Sequence, residues 1–279
     1  MELGKLCEST NFAVHQLIMK FSFGKYHGSG NDFIMVDNRV RNFPKDQKLI
    51  ENCCHRRYGI GADGLILIED HPDFDFEMLY YNADGRLGSM CGNGGRCAVI
   101  FAKKLGLISH SITFLAFDGI HSATLIGEEQ VKISMAPVVK VDKSGNDYIL
   151  DTGSPHFVRF TDSVKELDVV QEGRKIRYGD TYREKGINVN FVSIAENSSE
   201  MRTYERGVED ETLSCGTGTV AAAIASSLKL NREEIDQEYP VTAAGGNLKV
   251  YFKKVSQNHF TSIFLEGPVN HVFDGEIEL

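Results

Sequence analysis

Two cysteines open matching glycine-rich phrases, Cys91-Gly-Asn-Gly-Gly and Cys215-Gly-Thr-Gly-Thr, which stand almost half the chain apart. Each phrase leads into an apolar run that is typical of a buried helix. Glycines before a helix let the backbone approach a ligand, and the free N–H groups of the first turn favour an anion. The same field lowers the pKa of a cysteine placed there. Each phrase therefore predicts a reactive thiol beside a site for a carboxylate.

Two thiols on opposite faces of one carbon atom can invert it. A thiolate takes the α-proton of an amino acid, and a thiol on the other face returns a proton. The carbanion is usually stabilised by pyridoxal phosphate held on a lysine, and the sequence shows no convincing lysine with a phosphate cup. Backbone donors at two helix N-termini can instead stabilise charge on the substrate carboxylate. The pattern favours racemisation or epimerisation of an amino acid without a cofactor.

The other cysteines do not change this interpretation. Cys53-Cys54-His55 has no second Cys/His pair at the spacing of a zinc site, so we expect no metal. Cys97 lies inside the first apolar run and is interpreted as packing. Six cysteines in a chain of 279 residues do not indicate a small secreted scaffold. We therefore expect reduced thiols and a cytoplasmic protein.

Charge and hydrophobicity limit the partners. A formal net charge of −9 argues against a general nucleic-acid or anionic-membrane surface. No apolar stretch approaches the length of a membrane span. The expected partner is therefore a small-molecule amino-acid substrate. Residues 1–19 show no hydrophobic period and no signal-peptide core, so we expect an extension outside the core.

The elements that must position the cysteines occur twice. Short alternating segments typical of antiparallel strands surround each cysteine helix, and the series begins again after Ala136-Pro137. We predict one half over residues 20–136 and a second half over residues 137–266, each mostly strands around one buried helix. If the halves face each other, the two helix N-termini meet in the cleft between them, a common place for a small-molecule site.

Three motifs together carry a family resemblance: Met90-Cys-Gly-Asn-Gly-Gly-Arg-Cys97, His27-Gly-Ser-Gly-Asn-Asp-Phe33, and Glu205-Arg-Gly followed by Cys215-Gly-Thr-Gly. From about residue 20 to its end the chain resembles diaminopimelate epimerase. The resemblance implies an α/β (α+β) fold of two pseudo-symmetric domains, each a curved, mostly antiparallel sheet wrapped around a central helix, with residues 267–279 returning to the first domain. It also implies cofactor-independent interconversion of LL- and meso-diaminopimelate, for lysine and cell-wall synthesis, by a homodimer.

The resemblance also assigns roles to individual residues. Cys91 and Cys215 are the two acid–base thiols, and His156 and Glu205 are placed close to them. The positions that match substrate contacts are Asn31, Asn82, Gly92, Asn93, Asn188, Glu205, Arg206, Gly216 and Thr217.

Three departures from the family pattern alter the substrate anchors. The family often has Gln where Gly64 stands, and Asn-Pro-His where Ser154-Pro-His156 stands. The segment of residues 207–212 is one residue longer than the usual Gly-x-Gly-x-Thr and has lost a glycine.

Plainer roles are open for some of these residues. Arg206 could be an ordinary surface arginine, His156 a hydrogen-bonded loop histidine, and Asn82 a residue of its own turn. Three other functions are also open: a proline racemase-like or other amino-acid racemase, a thiol redox switch formed by Cys91 and Cys215, and an amino-acid-binding module without catalysis. Proline racemase-like enzymes usually have His where Asn93 stands and lack the Glu-Arg pair.

Overall fold

The computed structural model describes residues 19–88, 90–108 and 111–279, so the extension predicted for residues 1–19 lies outside the described residues except for Met19. The described residues form four α-helices: α1 Gln47–Cys54, α2 Gly92–Lys104, α3 Val169–Arg177 and α4 Gly216–Lys229. They also form these β-strands: β1 Lys20–Gly28, β2 Asn31–Asp37, β3 Gly64–Glu69, β4 Phe76–Asn82, β5 Ser111–Ala116, β6 Gly119–Leu125, β7 Gln130–Ser134, β8 Val141–Ser144, β9 Asp147–Asp151, β10 Pro155–Phe160, β11 Asn188–Ile194, β12 Ser199–Glu205, β13 Asp210–Thr212, β14 Asp236–Ala243, β15 Gly246–Ser256, β16 His259–Pro268 and β17 Asn270–Glu278.

The strand pairing of one half is repeated in the other. The first half has the order β17-β1-β2-β3-β4-β5-β6-β7, and the second has β8-β9-β10-β11-β12-β14-β15-β16. In both halves the third and fifth pairs along this order are parallel and the others antiparallel. Strand β13 is added beside β12. The predicted fold class, two pseudo-symmetric sheet-and-helix units, is confirmed.

The helices repeat with the strands. Helices α1 and α3 each follow the third strand of their half, and the parallel partner comes after the helix, since parallel strands need a crossover connection. The cysteine helices α2 and α4 join the second parallel pair. Helix α2 contacts β1, β2, β3, β4 and β7, and α4 contacts β10, β11, β12, β14 and β15. Each sheet therefore wraps around its own cysteine helix.

The two halves share one hydrophobic core. A single cluster of buried side chains includes Val99 and Ile133 of the first half and Ala222 and Val250 of the second. Smaller clusters lie under α1 and α3. The sheets meet where β7 pairs with β16. The last strand, β17, lies antiparallel to the first, β1, over most of its length.

The sequence pattern and the structure differ at two places. The pattern of residues 46–58 predicts a helix, whereas α1 ends at Cys54; the side chain of Asp46 caps its start by accepting from the Leu49 N–H at 2.9 Å. Helix α3 was not predicted. Its residue Gly173 lies against Tyr204, so close that a Cβ there would be 2.4 Å from the Tyr204 Cβ. None of the described helices is long and apolar enough to cross a membrane.

Candidate active site

The N-termini of α2 and α4 lie against each other. A Cβ built on Gly216 would be 3.5 Å from the Cα of Gly92, and the side-chain amide of Asn93 donates to the Ser214 carbonyl at 3.2 Å. The side chain of Leu265 packs on both glycines, 3.3 Å from a Cβ on Gly92 and 3.2 Å from one on Gly216. A methyl group at either glycine would press on the end of the Leu265 side chain, whereas one on Gly216 would be in ordinary contact with Gly92. The two cysteine phrases therefore meet beside Leu265.

Both predicted thiols lie at this junction as the N-caps of their helices. The Cys91 thiol lies 3.5 Å from the Asn31 side-chain oxygen, to which it donates. The Cys215 sulfur accepts from the Gly218 N–H at 3.4 Å and lies 3.5 Å from the Thr217 hydroxyl. Each thiol thus has polar neighbours from its own half, and the ionised form of Cys91 raises the pKa of Cys215.

Burial controls the ionisation of both thiols. It raises the pKa of Cys91, against the opposing effects of the Gly94 and Asn93 N–H groups. It also raises the pKa of Cys215, and the nearby Glu205 carboxylate raises it further. The expectation that the helix ends lower the thiol pKa values is therefore wrong in its net sign. The N–H groups act in the expected direction, but the loss of water around the sulfur outweighs them.

A chain of hydrogen bonds leads from β12 to Cys215. The Thr203 hydroxyl donates to the Asn190 side chain at 3.0 Å, and the Asn190 amide donates to His156 Nδ1 at 3.0 Å. His156 Nε2 then carries the ring proton and lies 2.9 Å from the Thr217 hydroxyl. Burial, with a smaller effect of Arg206, lowers the pKa of His156 to about 3. His156 is therefore neutral and orients Thr217 towards Cys215.

The predicted anchors of the second half cluster at the ends of β11 and β12. The Asn188 side chain accepts from the Arg206 N–H at 2.9 Å and donates to the Ser154 hydroxyl at 2.8 Å. The Arg206 guanidinium is exposed and donates to the Lys185 carbonyl at 3.2 Å. Among the described residues it forms no ion pair, unlike most arginines of this chain. It is thus available to a carboxylate from outside the chain.

Glu205 faces both thiols. It raises the pKa of Cys91 and of Cys215, and burial raises its own pKa. Its carboxylate accepts from the Thr212 hydroxyl at 2.8 Å, so the lengthened 207–212 segment returns through β13 and supplies this contact.

The first half contributes Asn31 and Asn93, which the structure brings together. The Asn31 amide donates to Asp63 at 2.7 Å, and its oxygen accepts from Asn93 at 3.4 Å. Asn82 is different, because its exposed amide faces the Arg86 carbonyl of its own turn at 3.4 Å. No described hydrogen bond joins the Asn82 side chain to Asn31, to Asn93 or to either thiol.

Several residues of the site were missed by the sequence analysis. Tyr80 fills the space beside Gly64, where a Cβ would lie 2.5 Å from its ring, and its pKa is raised by burial and then by Cys91. Asn190 and Arg96 are fully buried polar side chains. A signal was present for these two, because each is a polar residue inside an apolar run. Tyr80 offered none, since an aromatic residue is ordinary in a strand.

Comparisons with known proteins agree with this architecture. The chain is similar to a PhzF-family phenazine biosynthesis protein from Bacillus anthracis, with a TM-score of 0.71 at 13% identity over 93% of this chain and 99% of that one. It is similar to a hydroxyproline epimerase from Agrobacterium vitis, with a TM-score of 0.68 at 13% identity over 93% of both chains. At such identities the likeness concerns the fold. The chain therefore has the fold shared by PhzF-family proteins and proline racemase-type enzymes.

Sequence comparison narrows the class. The family profile described as diaminopimelate epimerase matches residues 23–141 and 148–272. A diaminopimelate epimerase from Flavobacterium psychrophilum is 49% identical over 91% of this chain and 98% of its own length. One from Chlorobaculum tepidum is 42% identical over 90% and 99%. The chain belongs to the diaminopimelate epimerase family.

Proposed function

We propose that this protein is an isomerase that interconverts LL- and meso-diaminopimelate without a cofactor, in the synthesis of lysine and peptidoglycan precursors. The observation that carries the proposal is the contact between two helix N-termini, each capped by a cysteine. Two relatives named diaminopimelate epimerase match this chain along nearly their whole length. A racemase of another amino acid on the same fold is the second candidate, since a hydroxyproline epimerase shares the fold.

The proposed reaction uses the thiols in opposite roles. The thiolate of one cysteine takes the α-proton of the substrate, and the thiol of the other gives its proton to the opposite face of the carbon. The charge that develops on the α-carboxylate is stabilised by N–H groups of the two helix ends, at Gly92, Asn93, Gly216 and Thr217. Asn31 and Asn82 are proposed contacts from the first half. His156 and Glu205 are proposed to hold the thiols in position and to adjust their ionisation.

Arg206 and Asn188 are proposed to hold the distal end of the substrate. The Arg206 guanidinium has no ion-pair partner among the residues that the structure describes, and a guanidinium matches a carboxylate with two parallel hydrogen bonds. Diaminopimelate carries a second carboxylate, which an arginine at this place can bind. This pairing favours diaminopimelate over an amino acid with one charged end.

The central test uses single cysteine variants. Cys91→Ala and Cys215→Ala should each abolish epimerisation of LL-diaminopimelate, followed by chiral separation without added cofactor. Each direction needs one thiolate and one thiol, so the double variant should be little worse than either single one. Cys97→Ala, a buried cysteine of the same helix α2, is the matched control and should keep most of the activity. Near wild-type turnover in either catalytic variant would contradict the proposal.

Heavy water separates two bases from one. The product epimer should carry deuterium at the inverted carbon from its first appearance, whereas recovered substrate should carry little early in the reaction. Early product that is largely free of deuterium would point to a single shared base.

The homodimer and the cytoplasmic location stay predictions. The first is supported by β17, which pairs with β1 on one side and exposes Val272 and Phe273. The second is supported by the five cysteines of the described residues, which are all free thiols.

A further inference from the structure

Arg96 is a fully buried charge without a carboxylate partner. Its guanidinium donates to the Gly92 carbonyl at 3.2 Å, the Ser29 hydroxyl at 3.2 Å and the Asn93 side-chain oxygen at 3.0 Å. Its Nε atom has no hydrogen-bond partner among the described residues. An arginine stays protonated in proteins, and an uncompensated buried charge is costly. A second role of this charge would account for its presence.

The guanidinium lies directly beneath the first turn of α2. It fills the space beside two glycines: a Cβ on Gly267 would be 3.1 Å from its Nε, and one on Gly28 3.3 Å from its Nη2. The hydrogen bond to the Gly92 carbonyl places the charge next to the residue that follows Cys91. The positive charge therefore lies within the first turn of the helix that begins after Cys91.

The second half has no such charge. When the two cysteine phrases are aligned so that Cys91 matches Cys215, Asn93 aligns with Thr217 and Arg96 aligns with Val220. Val220 is also fully buried. The two helix ends are therefore alike in backbone and in burial but differ by one positive charge beneath the first turn.

We propose that Arg96 makes the two thiols unequal, so that Cys91 ionises before Cys215. Arg96 is then a positioning residue that acts through Cys91. Ionisation releases the Cys91 proton to solvent. In a turnover, the Cys91 sulfur takes the α-proton, Cys215 gives its proton to the opposite face, and the two cysteines exchange protonation states. These roles in turnover rest on the proposed function, whereas the order of ionisation does not.

The other groups around the thiols do not reverse this order. Glu205, from β12, raises the pKa of both cysteines. Tyr80, from β4, has a raised pKa through burial and is neutral. Cys97, on α2 itself, is buried with a raised pKa, so it also stays neutral. Neutral donors lower the pKa of both cysteines, and for Cys91 the Gly94 and Asn93 N–H groups do so more than Arg96. Arg96 adds a positive charge to these donors at Cys91, whereas the largest effects on Cys215 include none.

The test measures the alkylation rate of each cysteine by iodoacetamide as a function of pH, with peptide mapping to separate Cys91 from Cys215. In the wild-type protein the midpoint of Cys91 should lie below that of Cys215. In Arg96→Met the Cys91 midpoint should rise and the Cys215 midpoint should not, because ionised Cys91 raises the pKa of Cys215 and that effect is then reduced. Ser29→Ala is the matched control, because it removes one partner of the guanidinium and keeps the charge. Its Cys91 midpoint should stay near that of the wild type.

Two results would overturn the inference: a wild-type Cys91 midpoint at or above that of Cys215, or an equal rise in Ser29→Ala and in Arg96→Met. If Arg96→Met does not fold, the Cys91 and Cys215 midpoints of the wild-type protein still test the order of ionisation. Because alkylation needs no turnover, a protein that fails to epimerise diaminopimelate but shows the expected midpoints would contradict the proposed function alone.

Discussion

At the scale of single residues, a chain of hydrogen bonds in the second half ends at the Cys215 sulfur. Thr203, Asn190, His156 and Thr217 form one chain in which each member fixes the orientation of the next, ending at Cys215. Because burial lowers the pKa of His156 to about 3, the ring stays a neutral donor across the physiological range. Its contribution is the placement of a hydroxyl beside the thiol.

Substitution of Arg206 tests whether its guanidinium binds the distal carboxylate of diaminopimelate. Arg206→Met should raise the KM for diaminopimelate roughly tenfold to a hundredfold, since a charge-assisted bidentate contact contributes about 1.5–3 kcal/mol. The fold should be unaffected, because the side chain is exposed and makes a single hydrogen bond to a carbonyl. Steady-state kinetics by chiral separation measures the change.

The control for Arg206 is another exposed arginine of the same half. Arg183→Met removes an exposed arginine that pairs only with Asp180 and should leave the KM as it is. An unchanged KM in Arg206→Met, or an equal rise in both variants, would return Arg206 to an ordinary surface role.

At the scale of elements, the first turn of α4 is packed closely against β11. A Cβ on Gly218 would lie 2.5 Å from the Asn190 side-chain oxygen and 3.2 Å from the Cys215 Cβ. The glycine therefore lets the helix end, the thiol and the hydrogen-bond chain share one small space. The same position in α2, Gly94, has apolar neighbours instead, with Ile66 Cδ1 at 3.0 Å from its Cβ position.

Gly218→Ala should destabilise the protein by about 1–3 kcal/mol, because the added methyl group displaces Asn190. Asn190→Ala should cost a similar amount, since it leaves His156 and Thr203 without a partner. The double variant should be no less stable than Asn190→Ala alone, because the shorter side chain makes room for the methyl group. Denaturant unfolding of the four proteins measures this, and simple additivity of the two losses would show that the glycine has another purpose.

Sequence patterns predicted the elements that are determined by residues close together in the chain. The cysteine phrases were recognisable because glycines, an apolar run and a repeat lie within a few residues of each other. Helix α3 was missed because Gly173 weakens its helical pattern, and the need for that glycine comes from Tyr204 on a distant strand. The contact of Asn93 with Ser214 was equally hidden, since it depends on how two halves dock. The departure at Gly64 is explained by Tyr80, which occupies the space.

At the scale of the whole molecule, the two halves are alike in pairing but not independent. Their cysteine helices belong to one buried cluster, and β7 pairs with β16 across the boundary. Separating the halves would expose the central part of this core. The sequence indicated the duplication but could not show that the halves share their interior, because no local pattern records which buried faces meet.

We expect one cooperative unfolding transition for both halves. The chain contains no tryptophan, so Phe21→Trp in β1 and Phe160→Trp in β10 each give a fluorescence signal from one half. The two thermal or denaturant curves should coincide with each other and with circular dichroism. Transitions that separate by more than the shift caused by either substitution would show that the halves unfold independently.

The pairing of the last strand with the first has a consequence for synthesis of the chain. Strand β1 ends at Gly28 and its partner β17 begins at Asn270. At roughly 5–20 residues per second, the ribosome needs about 12–50 s to make the residues between them. Throughout that time the edge of β1 that pairs with β17 has no partner, so the sheet of the first half is incomplete during synthesis. The nascent chain is thus open to pairing with neighbouring strands on the same polysome, and release of the final residues ends that exposure.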